Sequence, residues 1–402
     1  MNTIIRRPRY IKFLFNFKDS EFIKVITGVR RSGKTYLMKM FIAALKDNGV
    51  PAEQIIHLNF ESLANAELTN AQALWNYVLQ HVLKNKKMYL FFDEIQNVEH
   101  WEKAINSLRI DLDADIYLTG SNSNLLSGEL VTLLSGRYVE LRTYPISFKE
   151  FFDFKKGQGQ QSENLFNEYL QVGGFPNAIL APNTDFRVAV QEDILNTIMY
   201  RDIALRANVK NDQAINAITE YLMSEIGNPV SANKIAKVLQ ATGFKTQTKS
   251  VINYMELLGD AFIFYKTRKY DIREKKWLNT LAKYYFIDPS LRNTQLNRSY
   301  KDNLGHQLEN IVYIELLRRG FKVDVGSYDN KEVDFVARKG QQVEYYQVTL
   351  QLSQSSTRET DNLRFIPDGY QKTVLSLKPD DRGTVDGIKI SYLVDWLLVD
   401  DY

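Results

Sequence analysis

Thr27-Gly28-Val29-Arg30-Arg31-Ser32-Gly33-Lys34-Thr35 contains the pattern G-x-x-x-x-G-K-[ST] over Gly28 to Thr35. The flanks give the pattern its meaning. Phe22 to Ile26 reads as a short strand, and Leu37, Met38, Phe41, Ile42 and Leu45 recur at helical spacing, so the loop lies between a strand and an opening helix. In that setting the backbone N–H groups from Gly28 through Val29, Arg30, Arg31, Ser32 and Gly33 turn inward around phosphates. The helix start adds the positive end of its dipole, Lys34 reaches the terminal phosphates, and the Thr35 hydroxyl ligates magnesium. A chance match in a Gly-containing turn is the competing explanation, and the strand-then-helix context argues against it.

A second stretch supports the first. Met88-Tyr89-Leu90-Phe91-Phe92 is the near-continuous apolar run of a strand buried on both faces of a parallel sheet, and it delivers Asp93 and Glu94 to the carboxyl end, where such sheets bind ligands. Asp93 is then a magnesium ligand and Glu94 a general base for an attacking water. Another strand, Asp115 to Gly120, ends in Ser121-Asn122-Ser123, whose polar groups either contact the terminal phosphate or cap the next helix, Asn124 to Leu134. Arg137 follows that helix. It is the candidate for an arginine reaching a neighbouring subunit's γ-phosphate, with Arg30 and Arg31 as rivals within the same chain and a structural ion pair as the plain alternative. Strands and helices alternating in this order predict an α/β parallel sheet with right-handed crossovers.

The bulk composition sets limits on the rest. At 402 residues the chain is long for one domain and suits two to four; 44% hydrophobic and 25% charged residues describe a globular protein with a real core. The absence of cysteine excludes disulfide scaffolds and thiolate metal sites, no apolar stretch is long enough for a membrane span, and a cytoplasmic location is expected. Net charge is only +3, but Ser231 to Arg298 holds 13 Lys and Arg against 5 Asp and Glu, so one segment concentrates the positive charge.

GVRRSGKT, FFDEIQ, YLTGSNS, LLSGR and PISFKEF, in this order, resemble the AAA+ ATPases of an archaeal and bacterial group in which a winged-helix unit and a restriction-endonuclease-like domain follow the ATPase. The likeness continues through Gly173-Gly174-Phe175-Pro176 and Asn196 to Arg206. It implies a AAA+ P-loop core over 1–146, a helical lid over 147–210, a winged helix-turn-helix over 211–298 and a restriction-endonuclease-like α/β domain over 299–402. Within the lid, Arg201, Asp202 and Arg206 share a predicted helix; Asp202 and Arg206 are spaced as a surface ion pair, with nucleotide sensing by either arginine as the alternative.

The residues of the third region carry their own reading. Helical patterns over Ile215 to Ile226, Ser231 to Leu239 and Thr246 to Leu258 precede two β-rich runs, Ala261 to Thr267 and Lys283 to Ile287, which bracket a charged stretch from Arg268 to Lys276. That is the order of a winged helix, with Lys245 and Lys249 at the third helix and Lys269, Arg273, Lys275 and Lys276 on the wing placed for phosphate contact; a protein-binding scaffold is the alternative. In the last region the resemblance implies Glu309 on a helix and Asp334 on a hairpin as nuclease-type acids. The third motif reads Gln347-Val348-Thr349 where acid-x-Lys is expected, so a degenerate site without robust cleavage follows.

The whole reads as an ATP- and Mg²⁺-dependent AAA+ ATPase, assembling with copies of itself and coupling nucleotide state to conformational change on double-stranded DNA or a protein client, with no membrane partner. The alternatives are a slow-turnover nucleotide switch that binds protein, and a metal-dependent nuclease with a displaced lysine.

Overall fold

The computed structural model describes residues 4–126, 134, 136–156, 160–204, 212–329, 331–352 and 358–399. After α1 (Pro8–Asn16), five strands form one sheet: β1 (Ile23–Gly28), β2 (Ile55–Asn59), β3 (Met88–Asp93), β4 (Ala114–Gly120) and β5 (Tyr138–Thr143). Their order is β2-β3-β4-β1-β5 and every pairing is parallel, so all carboxyl ends meet at one edge. β1 and β3 are buried at every position, as their apolar runs require of strands covered on both faces. Leu37, Phe41 and Leu45 of α2 (Lys34–Asp47) pack on one face with Tyr10, Ile26, Phe91 and Tyr117. Leu74 and Val78 of α3 (Ala71–His81) and Ile105 of α4 (Trp101–Asp111) cover the other with Val25, Leu90 and Leu118. α3 stops at His81, before Val82, which is extended. The helix expected from Asn124 to Leu134 lies mostly outside the described residues; Ser123–Leu126 forms a 3₁₀ turn.

Helices follow without strands: α5 (Phe148–Lys155), opened by a capping box between Ser147 and Glu150, α6 (Ser162–Val172), α7 (Pro176–Ile179) and α8 (Thr184–Thr197). α8 runs directly into a π-helical turn, Ile198–Ala204. Then come α9 (Asp212–Ser224), β6 (Pro229–Val230), α10 (Ala232–Ala241) and α11 (Thr248–Asp260). An antiparallel sheet of order β6-β10-β7 is completed by β7 (Phe264–Thr267) and β10 (Ala282–Phe286), with β8 (Lys269–Asp271) and β9 (Lys276–Trp277) between them in the chain.

Those two intervening strands correct the expected wing. β8 leaves the three-stranded sheet and pairs in parallel with β11 (Lys322–Tyr328), and β9 pairs with β8. The charged stretch therefore extends the edge of the C-terminal sheet. An unpaired strand edge seeks a partner for its N–H and C=O groups, and side chains reinforce the join: Arg338 lies over Tyr270 at 4.2 Å and Arg268 over Trp277 at 4.2 Å.

α12 (Pro289–Gln295) and the largely buried α13 (Leu304–Arg318) lead into an eight-stranded sheet. To β11 it adds β12 (Lys331–Lys339), β13 (Gln342–Thr349), β14 (Gln371–Ser376), β15 (Gly383–Val385) and β16 (Ile388–Tyr392), with α14 (Arg358–Arg364) and α15 (Leu393–Leu398) packed alongside. One hydrophobic core runs from Val29 in the phosphate loop through Phe148, Ile203 and Leu258 to Tyr313, Phe335 and Leu397. Part of the C-terminal half thus shares packing with the loop, while Ile272, Val333, Val336, Val374 and Ile390 form a core of their own. Among the described residues no helix is long and apolar enough to cross a membrane.

Candidate nucleotide site

The loop between β1 and α2 is shaped by two glycines with positive φ. Gly28 has φ +142°, and a Cβ there would meet Thr143 O of β5 at 2.2 Å; Gly33 has φ +96° and precedes the helix. Arg7 fixes the loop from behind: its Nη1 donates to Ser32 O at 3.1 Å, while Nε and Nη2 donate to Glu150 at 3.1 and 3.2 Å. Sequence reasoning missed Arg7, because neither partner is near it in the chain. The pair Gly173-Gly174 also gains its reason. A Cβ on Gly173 would lie 2.0 Å from Ser290 Oγ, and one on Gly174 would lie 2.4 Å from Ile146 O, so only glycines let this turn bring Pro176 against Gly33.

Lys34 is buried and folded back. Its Nζ donates to Gly28 O at 3.1 Å and Val29 O at 3.3 Å and pairs with Glu94 Oε1 at 3.5 Å. Asp93, at the end of β3, accepts from the Thr119 hydroxyl at 2.5 Å through Oδ1, while its buried Oδ2 has no hydrogen-bond partner. Burial pushes the Asp93 carboxyl up, against the hydrogen bond from Thr119 and the influence of the nearby Thr35 hydroxyl. An orphaned carboxylate oxygen beside a threonine hydroxyl is the donor set of a hard divalent cation, so these residues fit magnesium.

Glu94 sits in the left-handed region at φ +54°, with its N–H donating to Thr119 Oγ1 at 2.8 Å. Burial works to raise its carboxyl, but the charges of Lys34 and Arg30 and a hydrogen bond from Gln96 outweigh it and hold the group below the ordinary carboxylate value. Ser121, fully buried, donates to Asp202 Oδ1 at 3.2 Å, so it faces the lid; Asn122 is buried, and its carbonyl accepts from Leu125 N–H at 3.2 Å. The expected pairing of Asp202 with Arg206 falls on Arg206, which lies outside the described residues. Asp202 receives Arg30 as a two-pronged pair at 2.9 and 3.1 Å, and Glu61 takes a third bond from Arg30 at 2.7 Å. Arg31 pairs with Asp193 and donates to Thr197 Oγ1 at 3.1 Å, which ties the loop to α8.

One cavity of about 740 Å³ is lined by Arg30, Arg31, Lys34, Thr35, Glu94 and Arg201 together with the apolar Ile4, Ile5, Met40 and Leu180; Asp93, Ser121 and Asp202 are not among its lining residues. Arg137 is not among its walls. It is exposed at the start of β5, where its carbonyl accepts from Ile23 N–H at 2.9 Å, at the end of β1 opposite the loop and roughly 17 Å away by strand rise.

The second candidate site differs from expectation. Asp334 Oδ2 accepts from Val348 N–H at 2.8 Å, and Gln347 Oε1 accepts from Asp334 N–H at 3.3 Å, but Thr349 turns to Gln351 O at 3.0 Å. A buried cation from another strand faces the acids of this site. Lys283 on β10 is buried against Glu332 at 2.7 Å, and although burial works to lower its ammonium, the charges of Glu309, Glu332 and Asp334 raise it. Burial, with the mutual repulsion of the acids behind it, pushes Glu309 up to about 8, and burial takes Asp334 up to about 7. Among the described residues no group of three or more His, Cys, Asp or Glu is arranged to hold a metal. Of the wing cations, Lys269 pairs with Glu332 at 3.5 Å, Arg273 with Asp329 at 3.3 Å and Lys276 with Glu274; Lys245, Lys249 and Lys275 have no ion-pair partner among the described residues.

Comparison with known proteins agrees with the loop and the sheet. Residues 20–152 match a family described as an AAA domain, and residues 163–302 match a domain of unknown function, DUF8612. A solved Walker-type ATPase of Pyrococcus abyssi shares the fold, with a TM-score of 0.53 at 15% identity over 73% of this chain and 96% of that one. An uncharacterized protein of Methanocaldococcus jannaschii is 34% identical across 94% of this chain and 83% of its own length. An uncharacterized protein of Haemophilus influenzae is 42% identical across 98% of this chain and 99% of its own length. With identity at that level over nearly its whole length, this chain belongs to one family with the Haemophilus and Methanocaldococcus proteins, a family of P-loop proteins built on an AAA domain.

Proposed function

We propose that this protein is a magnesium-dependent ATPase that couples nucleotide state to the arrangement of its lid and C-terminal modules. The observation that carries the reading is the pairing of Lys34 with Glu94 at the wall of one cavity that Thr35 also lines. Lys34 is spent on Glu94 and two loop carbonyls, so incoming phosphates that draw Lys34 away also release the carboxylate needed as base. Glu94 then takes a proton from a water aimed at the terminal phosphorus, and its low proton affinity in the resting site reflects the partner it gives up. Magnesium held at Asp93 and Thr35 would neutralise charge on the terminal phosphates. The apolar side at Ile4, Ile5, Met40 and Leu180 suits a purine face, and the shared core from Val29 to Leu397 offers a mechanical route to the C-terminal modules.

For the region 212–286, the order of three helices and an antiparallel pair supports a winged-helix reading, with the sheet beyond it as a nuclease-like relic. A protein client is favoured over DNA by one observation. Three of the six cations assigned to phosphate contact are already matched by acids of the same molecule. The primary test is nucleotide binding and hydrolysis by the wild type and Lys34→Ala. Wild type should bind ATP and release phosphate, while Lys34→Ala should bind neither ATP nor ADP; equal binding by the two would remove the loop from the site.

A further inference from the structure

The phosphate loop carries arginines at its third and fourth positions, and backbone wrapping of phosphates requires neither. Arg30 is held with unusual completeness for a loop side chain: Nε and Nη2 donate to the two oxygens of Asp202, and Nη1 donates to Glu61. A guanidinium has five N–H groups, so one on each terminal nitrogen stays available while the pair is intact. The same side chain lines the cavity with Lys34, Thr35 and Glu94. Its place along the cavity is marked by its neighbours. Arg30 acts electrostatically on Glu94, and its anchor Asp202 also accepts from Ser121 at the end of β4, so the guanidinium belongs to the part of the cavity that Glu94 borders.

We propose that Arg30 is a catalytic arginine acting within its own chain, with Asp202 on the π-helical turn as its positioning residue. The assignment rests on the ATPase reading above. In the reaction the water oxygen bonds to the γ-phosphorus, the bond from that phosphorus to the bridging oxygen breaks, its electron pair leaves with ADP, and the water's proton passes to Glu94. Arg30 donates its two available N–H groups to the γ-phosphoryl oxygens, where charge gathers. Arg31 also lines the cavity, but its partners Asp193 and Thr197 draw it to α8, and Arg30, not Arg31, is the arginine whose charge acts on Glu94. Arg137 can serve only from a neighbouring subunit, and a site with Arg30 in place does not need one.

The test uses the full chain and two readouts, steady-state ATP hydrolysis and trapping of ADP with aluminium fluoride. Arg30→Ala should lower kcat by at least about 10²-fold, toward the roughly 10³–10⁵-fold range of catalytic arginines. Its KM for ATP and its ADP affinity should stay within about threefold of wild type, and it should fail to trap ADP–aluminium fluoride. Guanidinium ion added to Arg30→Ala should restore part of the rate, which loss of a merely structural contact would not allow. Asp202→Asn, which keeps shape but loosens the fork, should lower kcat about tenfold at unchanged KM. If Arg30→Ala does not fold, Arg30→Lys reports instead, with kcat reduced at least about tenfold because an ammonium cannot hold Asp202 and phosphate together. Mixing Arg30→Ala with Lys34→Ala should give no recovery. An Arg30→Ala enzyme within twofold of wild-type kcat, or recovery on mixing, overturns the proposal and leaves the ATPase reading standing; a wild type that neither binds nor hydrolyses ATP overturns both.

Discussion

Glu94→Gln separates the two roles given to Glu94, because the structure predicts effects of opposite sign. In the nucleotide-free protein Glu94 Oε1 lies 3.5 Å from Lys34 Nζ, and both side chains are nearly fully buried. At an effective dielectric near 20 such a pair is worth at most ~5 kcal/mol, and the hydrogen bonds that Lys34 keeps to Gly28 O and Val29 O reduce the net loss to about 1–3 kcal/mol. Glutamine removes the charge and keeps the shape, so the free protein should lose that stability. The bound form, in which Lys34 has a phosphate partner, should not. ATP should therefore bind roughly 5- to 150-fold more tightly, while turnover falls roughly 10²- to 10⁴-fold through loss of the base. Thermal melting with and without nucleotide, isothermal titration and phosphate release read these quantities separately. A variant that binds ATP no better than wild type would refute the competition between Glu94 and phosphate for Lys34, and near-normal turnover would refute the base.

Two further outcomes concern the C-terminal half. Because burial raises Glu309 to about 8 and Asp334 to about 7, the folded state holds protons that the unfolded chain has released, so stability should fall as pH rises from about 4.5 to 8, by up to about 1.4 kcal/mol per pH unit for each group. Denaturant titrations of Glu309→Gln should show a flatter pH profile than wild type, and parallel profiles would contradict the assignment. If double-stranded DNA binds at all, reversing Lys245, Lys249 and Lys275 should weaken it and lower the log–log salt slope by about 0.9 per lost phosphate contact, more than reversing the paired Lys269, Arg273 and Lys276. Affinity unaffected by either set would favour a protein client.

Much of the nucleotide site was legible because its determinants are local. A strand, a glycine-bearing turn and a helix start dictate their own backbone geometry within a dozen residues, and a buried parallel strand announces itself by a continuous apolar run, so the placement of Gly28 to Thr35 between strand and helix and of Asp93 and Glu94 at a strand end follows without knowledge of packing. What sequence could not decide was the partner of each charged side chain. Arg30 meets Asp202 from 172 residues away and Arg7 meets Glu150 from 143, separations at which no spacing pattern in the sequence points to the partner. The charged stretch near Lys269 to Lys276 was read as a free wing because composition records its cations and not the unsatisfied edge of β11 that captures the chain. Lys283 likewise belongs by sequence to one module and by contact to the acids of another. Backbone conformation follows from neighbours along the chain, but the pairing of charges is settled only when tertiary packing brings distant elements together and removes the water that would otherwise have separated them.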